Sequence, residues 1–332
     1  MPAAGAPAHI RARTMPLPQL ADYGDGIIAV DTGYCRPGLA AIHLLLENGR
    51  VAVVDTGTAH SVDGLMAVLA QQHIDPDHVD YVILTHVHLD HAGGAGELMR
   101  RLPQARTVVH PRGVRHLADP SKLLEGVKAV YGADETSRRF GPVVPIPAER
   151  IMPAEDRMRL DLGGRELLLL DTPGHARHHL CIHDARSNAF FTGDTFGLSY
   201  REFDTARGEF IFPTTTPVQF DPDAMHRSID RLMQMDPGHM FLTHYGRVGN
   251  LDRLAGDLHD CIDAFTAIAR QASGTGAHRH RLIREGLQHM LLERLAGHGC
   301  HLGLERKLEL LDMDIELNAQ GLGIWLDSHP LR

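Results

Sequence analysis

The sequence predicts an α/β protein, with strands covered by helices, that ends in an α-helical C-terminal region. Three observations carry this reading: short apolar runs punctuated by Gly, Pro, Asn or Asp, helical stretches between those runs, and the loss of strand-like runs past Arg247. Strands that alternate with helices bury a sheet beneath a helical layer.

Taken in order, Ile27 to Val30, Ala41 to Leu46 and Val51 to Val54 read as strands. Asn48-Gly49, between the second and third, is a hairpin signal because both residue types accept positive φ. A helix is expected over Val62 to Gln72, a strand over Tyr81 to Leu84, a helix over Gly94 to Leu102 and a strand over Thr107 to Val109. Ser121 to Tyr131 reads as helix, Leu167 to Leu170 as strand and Asp223 to Met235 as helix. Leu254, Leu258, Cys261, Ile262, Phe265 and Ile268 then repeat at helical spacing. A second C-terminal helix covers His278 to Leu295 and a third runs from about Glu305 to Asn318. The expected organisation is an N-terminal extension over residues 1–22, an α/β domain over 23–249 and a helical region over 250–332.

Composition narrows the class. With 332 residues, 43% hydrophobic and 23% charged, the chain has the make-up of an ordinary globular protein with a large core. A net charge of -9 leaves no electrostatic footprint for nucleic acid, which argues against a nuclease. Cys35, Cys181, Cys261 and Cys300 are far apart and form no Cys-x-x-Cys pair, so neither a disulfide framework nor a zinc ribbon is expected. The Ala- and Pro-rich start lacks an apolar stretch of signal-peptide length, and no run is long enough to cross a membrane. A cytoplasmic location with no membrane partner is the default expectation.

The chemistry is concentrated in Thr85-His86-Val87-His88-Leu89-Asp90-His91, directly after the run Tyr81 to Leu84. A strand delivers these side chains to one point, and the turn after it lets adjacent ones converge. Imidazole and carboxylate donors suit Zn²⁺, Fe or Mn²⁺ and argue against a thiolate site. With 24 histidines in the chain, position rather than abundance must identify ligands. Four further residues share the setting of the cluster, just beyond an apolar run: Asp55, His175 in Thr172-Pro173-Gly174-His175, Asp194 in Thr192-Gly193-Asp194, and His244 in Leu242-Thr243-His244.

This ordered set resembles the metallo-β-lactamase superfamily over roughly residues 26 to 250, in its glyoxalase II-like branch. The resemblance implies an αββα sandwich with a dinuclear site. His86, His88 and His175 would hold one ion, Asp90, His91 and His244 the other, and Asp194 would bridge them. Asp55 would sit behind the ions and orient a ligand histidine, with His179 likewise behind. Two divalent ions, most simply Zn²⁺ with Fe or Mn²⁺ also suited, would activate a bridging hydroxide against a small ester, thioester or lactone, and Asp90 would steady that hydroxide.

Departures from relatives matter here. Flavodiiron proteins carry Glu at the position of His88, and class B1 β-lactamases carry Cys at that of Asp90. Acyl-homoserine lactonases usually carry Tyr where this chain has Gly197; Tyr200 is a candidate substitute and Tyr245 a second candidate substrate contact. The superfamily leaves other readings open: an iron-dependent persulfide dioxygenase, a phosphodiesterase or nuclease, or a regulatory binding protein. The C-terminal helices are expected either to cap the cleft or to form a homodimer interface.

Overall fold

A computed structural model describes residues 17–329. Much of the expected extension, residues 1–16, thus lies outside the described residues, and the first strand starts at Leu20, ahead of the boundary placed at residue 23.

The first sheet holds β1 (Leu20–Gly24), β2 (Ile27–Asp31), β3 (Ala41–Glu47), β4 (Arg50–Val54), β5 (Val79–Ile83), β6 (Arg106–Val109) and β7 (Ile151–Pro153), side by side in chain order. Its first four strands form an antiparallel meander, and β4 to β7 run parallel. The β3–β4 turn is the expected Asn48-Gly49, with φ of 47° and 76°. Positive φ at both positions gives the turn a twist that matches the flanking strands.

The second sheet has β8 (Arg159–Leu162), β9 (Arg165–Asp171), β10 (Leu180–Asp184), β11 (Ala189–Phe191), β12 (His239–Leu242) and β13 (Gly246–Val248), in the order β13-β12-β11-β10-β9-β8. Only the β11–β12 pair is parallel.

Period-two alternation assigns the faces. In β4, Ala52 and Val54 join Leu169, Ile182, Phe191 and Phe241 between the sheets, whereas Val51 and Val53 belong to the core on the outer face. That outer core is closed by Leu65 and Val68 of α1 (Val62–Gln71) and, after the short α2 (Leu89–Ala92), by Leu98 of α3 (Ala95–Arg101). Three more helices follow: α4 (Val114–Ala118), α5 (Ser121–Tyr131) and α6 (Ala133–Phe140). The outer face of the second sheet is covered by α7 (Pro222–Met233) and by the C-terminal helices α8 (Leu251–Gln271), α9 (Gly276–Gly297) and α10 (Leu304–Ser328), which share one apolar core. The layers are therefore helix, sheet, sheet, helix.

One boundary departs clearly from expectation. α10 runs through Gly321 to Ser328 instead of ending near Asn318. A Cβ on Gly321 would stand 1.6 Å from the Thr215 carbonyl oxygen, so this glycine permits close approach to residues 213–216 and does not end the helix. Asn318 fastens the same contact, its Oδ1 accepting from the Thr215 amide and hydroxyl. No helix among the described residues is long and apolar enough to cross a membrane.

Candidate metal centre

Every candidate site residue follows closely on a strand: Asp55 after β4, His86 and His88 in the loop after β5 with Asp90 and His91 on the α2 turn beyond it, His175 after β9, Asp194 after β11 and His244 after β12. Both sheets present these strand ends on one side, so five loops converge. The His-x-His spacing leaves β5 extended, with His88 still at ψ 149°, and α2 then turns Asp90 and His91 back into the same space.

The ring nitrogens reveal how the histidines are held. His91 Nδ1 donates to Asp55 Oδ2 (2.8 Å), His244 Nδ1 to the Leu39 carbonyl (2.8 Å) and His175 Nδ1 to the Thr214 carbonyl (3.2 Å). Each outward N–H fixes the tautomer that leaves Nε2 with an inward lone pair. Those lone pairs crowd together: His244 Nε2 is 3.2 Å from His91 Nε2, and His175 Nε2 is 3.0 Å from His88 Nδ1, itself 2.9 Å from His86 Nε2. Facing lone pairs repel unless a proton or a metal ion lies between them.

Asp194 links two halves. Its Oδ1 lies 3.2 Å from His91 Nε2 and 3.6 Å from His244 Nε2, while Oδ2 lies 3.4 Å from His175 Nε2. Three donor groups can each hold an ion, namely His86-His88-His175, His86-His91-Asp194 and Asp90-His91-His244, with ligand atoms within 4.8 Å of one another. Asp194 Oδ1 is buried without a hydrogen-bond partner, a costly state that a coordinated cation would resolve. The residues therefore fit divalent metal.

Electrostatics divides the ligands in the same way. Burial, and then mutual repulsion with neighbouring histidines, drives His86 well below its ordinary pKa, and burial followed by His175 takes His88 to about 3. Burial opposes charging of His91 and His244 as well, yet carboxylates, Asp194 foremost, raise both. Burial would raise Asp90, but His91 and His244 hold it down to about 2. The first trio thus offers neutral nitrogens, and the second half attracts positive charge. Metal binding at the second half would displace protons.

Asp55 and His179 lie behind this centre. Asp55, itself buried, accepts from the Thr85 amide (2.9 Å) and the Thr85 and Thr243 hydroxyls (3.0 and 2.9 Å), besides His91. It therefore ties together the loops after β4, β5 and β12. His179 Nε2 accepts from the Asp194 amide (3.2 Å), and the Thr172 and Thr195 hydroxyls both lie 3.0 Å from its Nδ1. Gly193, at φ +48°, leaves room for that histidine, since a Cβ there would stand 2.6 Å from His179 Nε2.

A cavity of about 260 Å³ opens onto His88, Asp90, Asp194 and His244. Tyr200 reaches it, fully buried, with its hydroxyl donating to Asp314 Oδ2 at 2.8 Å. Tyr245 does not line it. Past His244, Tyr245 is half-buried, and burial and the nearby Asp31 carboxylate raise its phenol. Gly197 lies at φ +72°, and a Cβ there would stand 2.7 Å from the Phe212 carbonyl oxygen, which excludes a tyrosine at that position. Asp314 was not anticipated. Its signal was an acid within an apolar helical stripe, Leu310-Leu311-Asp312-Met313-Asp314-Ile315.

Known proteins resemble this chain. It is 27% identical over 215 residues to the metallo-beta-lactamase fold-containing protein ST1585 of Sulfurisphaera tokodaii, covering 64% of this chain and 75% of that one. A hydroxyacylglutathione hydrolase of Stenotrophomonas maltophilia is 30% identical over 152 residues, 46% of this chain and 44% of the relative. The crystal structure of the metallo-beta-lactamase family protein TTHA1429 from Thermus thermophilus superposes with a TM-score of 0.62 at 21% identity, covering 91% of this chain and 92% of that one, a likeness of fold. The sequence pattern of the metallo-beta-lactamase superfamily matches residues 35–244, and the chain belongs to that superfamily.

Proposed function

We propose that this chain is a dinuclear metal-dependent hydrolase acting on a small ester, thioester or lactone. Its coarser part, a metallohydrolase of the metallo-beta-lactamase superfamily, rests on the family match and on relatives such as the hydroxyacylglutathione hydrolase. The observation that carries the dinuclear reading is Asp194, whose two oxygens face opposite histidine groups.

In this reading His86, His88 and His175 hold one ion, Asp90, His91 and His244 the other, and Asp194 spans both. When bound, divalent cations supply Lewis acidity that polarises a carbonyl and brings deprotonation of water within reach of neutral pH. Zn²⁺ suits the mixed imidazole and carboxylate set, as do Fe and Mn²⁺. Asp90 lines the cavity and is held ionised by His91 and His244, so its carboxylate would accept a hydrogen bond from the attacking water and orient it towards the substrate carbon. Asp55 keeps the His91 proton on Nδ1, and Thr214 and Leu39 do the same for His175 and His244. His179 fixes the backbone of Asp194 through its amide. Leu198, Tyr200 and Phe140 exclude bulk water from the far wall of the cavity.

The test is a panel on metal-replete protein: p-nitrophenyl acetate, a thioester, a γ-lactone and bis(p-nitrophenyl) phosphate. Hydrolysis of the carbonyl substrates is expected. Preference for the phosphodiester would overturn the reading in favour of a phosphodiesterase. Oxygen uptake with glutathione persulfide on a single iron would overturn it in favour of a dioxygenase.

A further inference from the structure

The walls of the cavity differ sharply from its floor. α5 has no fully buried residue, yet Leu123, Val127, Val130 and Tyr131 repeat at helical spacing and all line the cavity. From the C-terminal region, Met313 and Leu317, one turn apart on α10, line it as well. Two apolar helical stripes thus border the space in front of the ligands, and Leu123, Val127 and Tyr131 pack on the main core only in part. An amphipathic helix whose apolar stripe borders an open cavity has burial still to gain from a ligand.

The charges of the cavity narrow that ligand. Three carboxylates line it, Asp90, Asp194 and Asp314, and Lys122 is its one lysine or arginine among the described residues. Asp314, on α10 beside the stripe, accepts a hydrogen bond from the Tyr200 hydroxyl. Asp90 and Asp194 would be taken up by the ions of the centre, so away from it the lining offers one acid, Asp314, and one lysine, Lys122, beside the two apolar stripes, a setting that favours an uncharged ligand tail.

Resting on the hydrolase reading above, we propose that the space between α5 and α10 takes an uncharged aliphatic acyl chain, which makes the substrate a medium-chain acyl ester, thioester or lactone. The acyl carbonyl then sits at the ligand end of the cavity and the chain runs between Val127 and Leu317. α10 becomes a specificity element, and its tie through Asn318 to Thr215 holds it in register with Thr214, which positions His175.

Two measurements test this. Along p-nitrophenyl acetate, butanoate, hexanoate and octanoate, kcat/KM should rise by up to about fourfold per buried methylene (about 0.8 kcal/mol) until the cavity is filled. Val127→Glu, on the half-exposed face of α5, should flatten that rise, which a purely structural role for Val127 would not do. A series that is flat or falls from acetate in the wild-type enzyme overturns the proposal. Calorimetry with hexanamide and acetamide reads the cavity without turnover: hexanamide should bind about tenfold tighter or more, with a negative heat-capacity change. Equal binding of the two amides overturns the acyl site even if esters are cleaved. Absence of all ester, thioester and lactone hydrolysis with metal bound instead removes the hydrolase reading, and the amide result then decides the cavity by itself.

Discussion

Replacing Asp55 by Asn isolates the tautomer argument. Asp55 Oδ2 accepts from His91 Nδ1 and Thr243, and Oδ1 accepts from the Thr85 amide and hydroxyl. An asparagine of the same shape must aim its NH₂ at one of these pairs of donors. If the NH₂ faces His91, the imidazole proton moves to Nε2, which removes a lone pair from the ligand set. If it faces the Thr85 amide, a buried donor is left unpaired at a cost of about 1–3 kcal/mol. Loss of such an orienting partner typically weakens metal affinity by about 10- to 100-fold, equivalent to about 1.4–2.8 kcal/mol. Competition with a chromophoric chelator measures the affinity, and urea unfolding of the metal-free protein measures the fold separately. Asp55→Asn should weaken metal binding beyond any loss in metal-free stability. A metal Kd within twofold of wild type, with reduced metal-free stability, would refute the reasoning and leave Asp55 as a purely structural anchor.

Two further outcomes follow from buried polar groups away from the ligands. His43 lies between the sheets against Phe191 and Phe241, with Nε2 unpartnered, and burial lowers its pKa to about 4 despite Asp55. The unfolded chain takes up a proton as pH falls below 6.5 whereas the folded one does not until about 4, so stability declines through that window, by about 2 kcal/mol between pH 7 and 5. His43→Leu should therefore lose less stability than wild type over this range in parallel thermal melts, and an identical pH slope would contradict the assignment. Tyr200→Phe leaves the buried Asp314 carboxyl without its donor and should cost about 1–3 kcal/mol in urea unfolding; a loss below about 0.5 kcal/mol would show that Asp314 finds another partner.

Much of the fold was legible because its signals were local. The Asn48-Gly49 turn, the Val62, Ser121 and Asp223 helices and the strands leading to each ligand follow from residue pattern alone. The ligand cluster was readable for a similar reason, since strand ends carry it. Elements missed or misjudged depended on distant partners. α10 continues past Asn318 through Gly321, whose close fit on Thr215 involves a segment distant in sequence. The pairing of Tyr200 with Asp314 and the cavity between α5 and α10 likewise depend on segments far apart in sequence.

The central claim is that Asp194 joins two ion sites, and elemental analysis of freshly purified protein beside its Asp194→Ala variant tests it most directly. The account predicts two divalent ions per chain in the native protein and a clear loss in the variant, with folding retained by circular dichroism. A variant that keeps the full native complement, or a native chain that holds one ion even after saturation with metal, would contradict it.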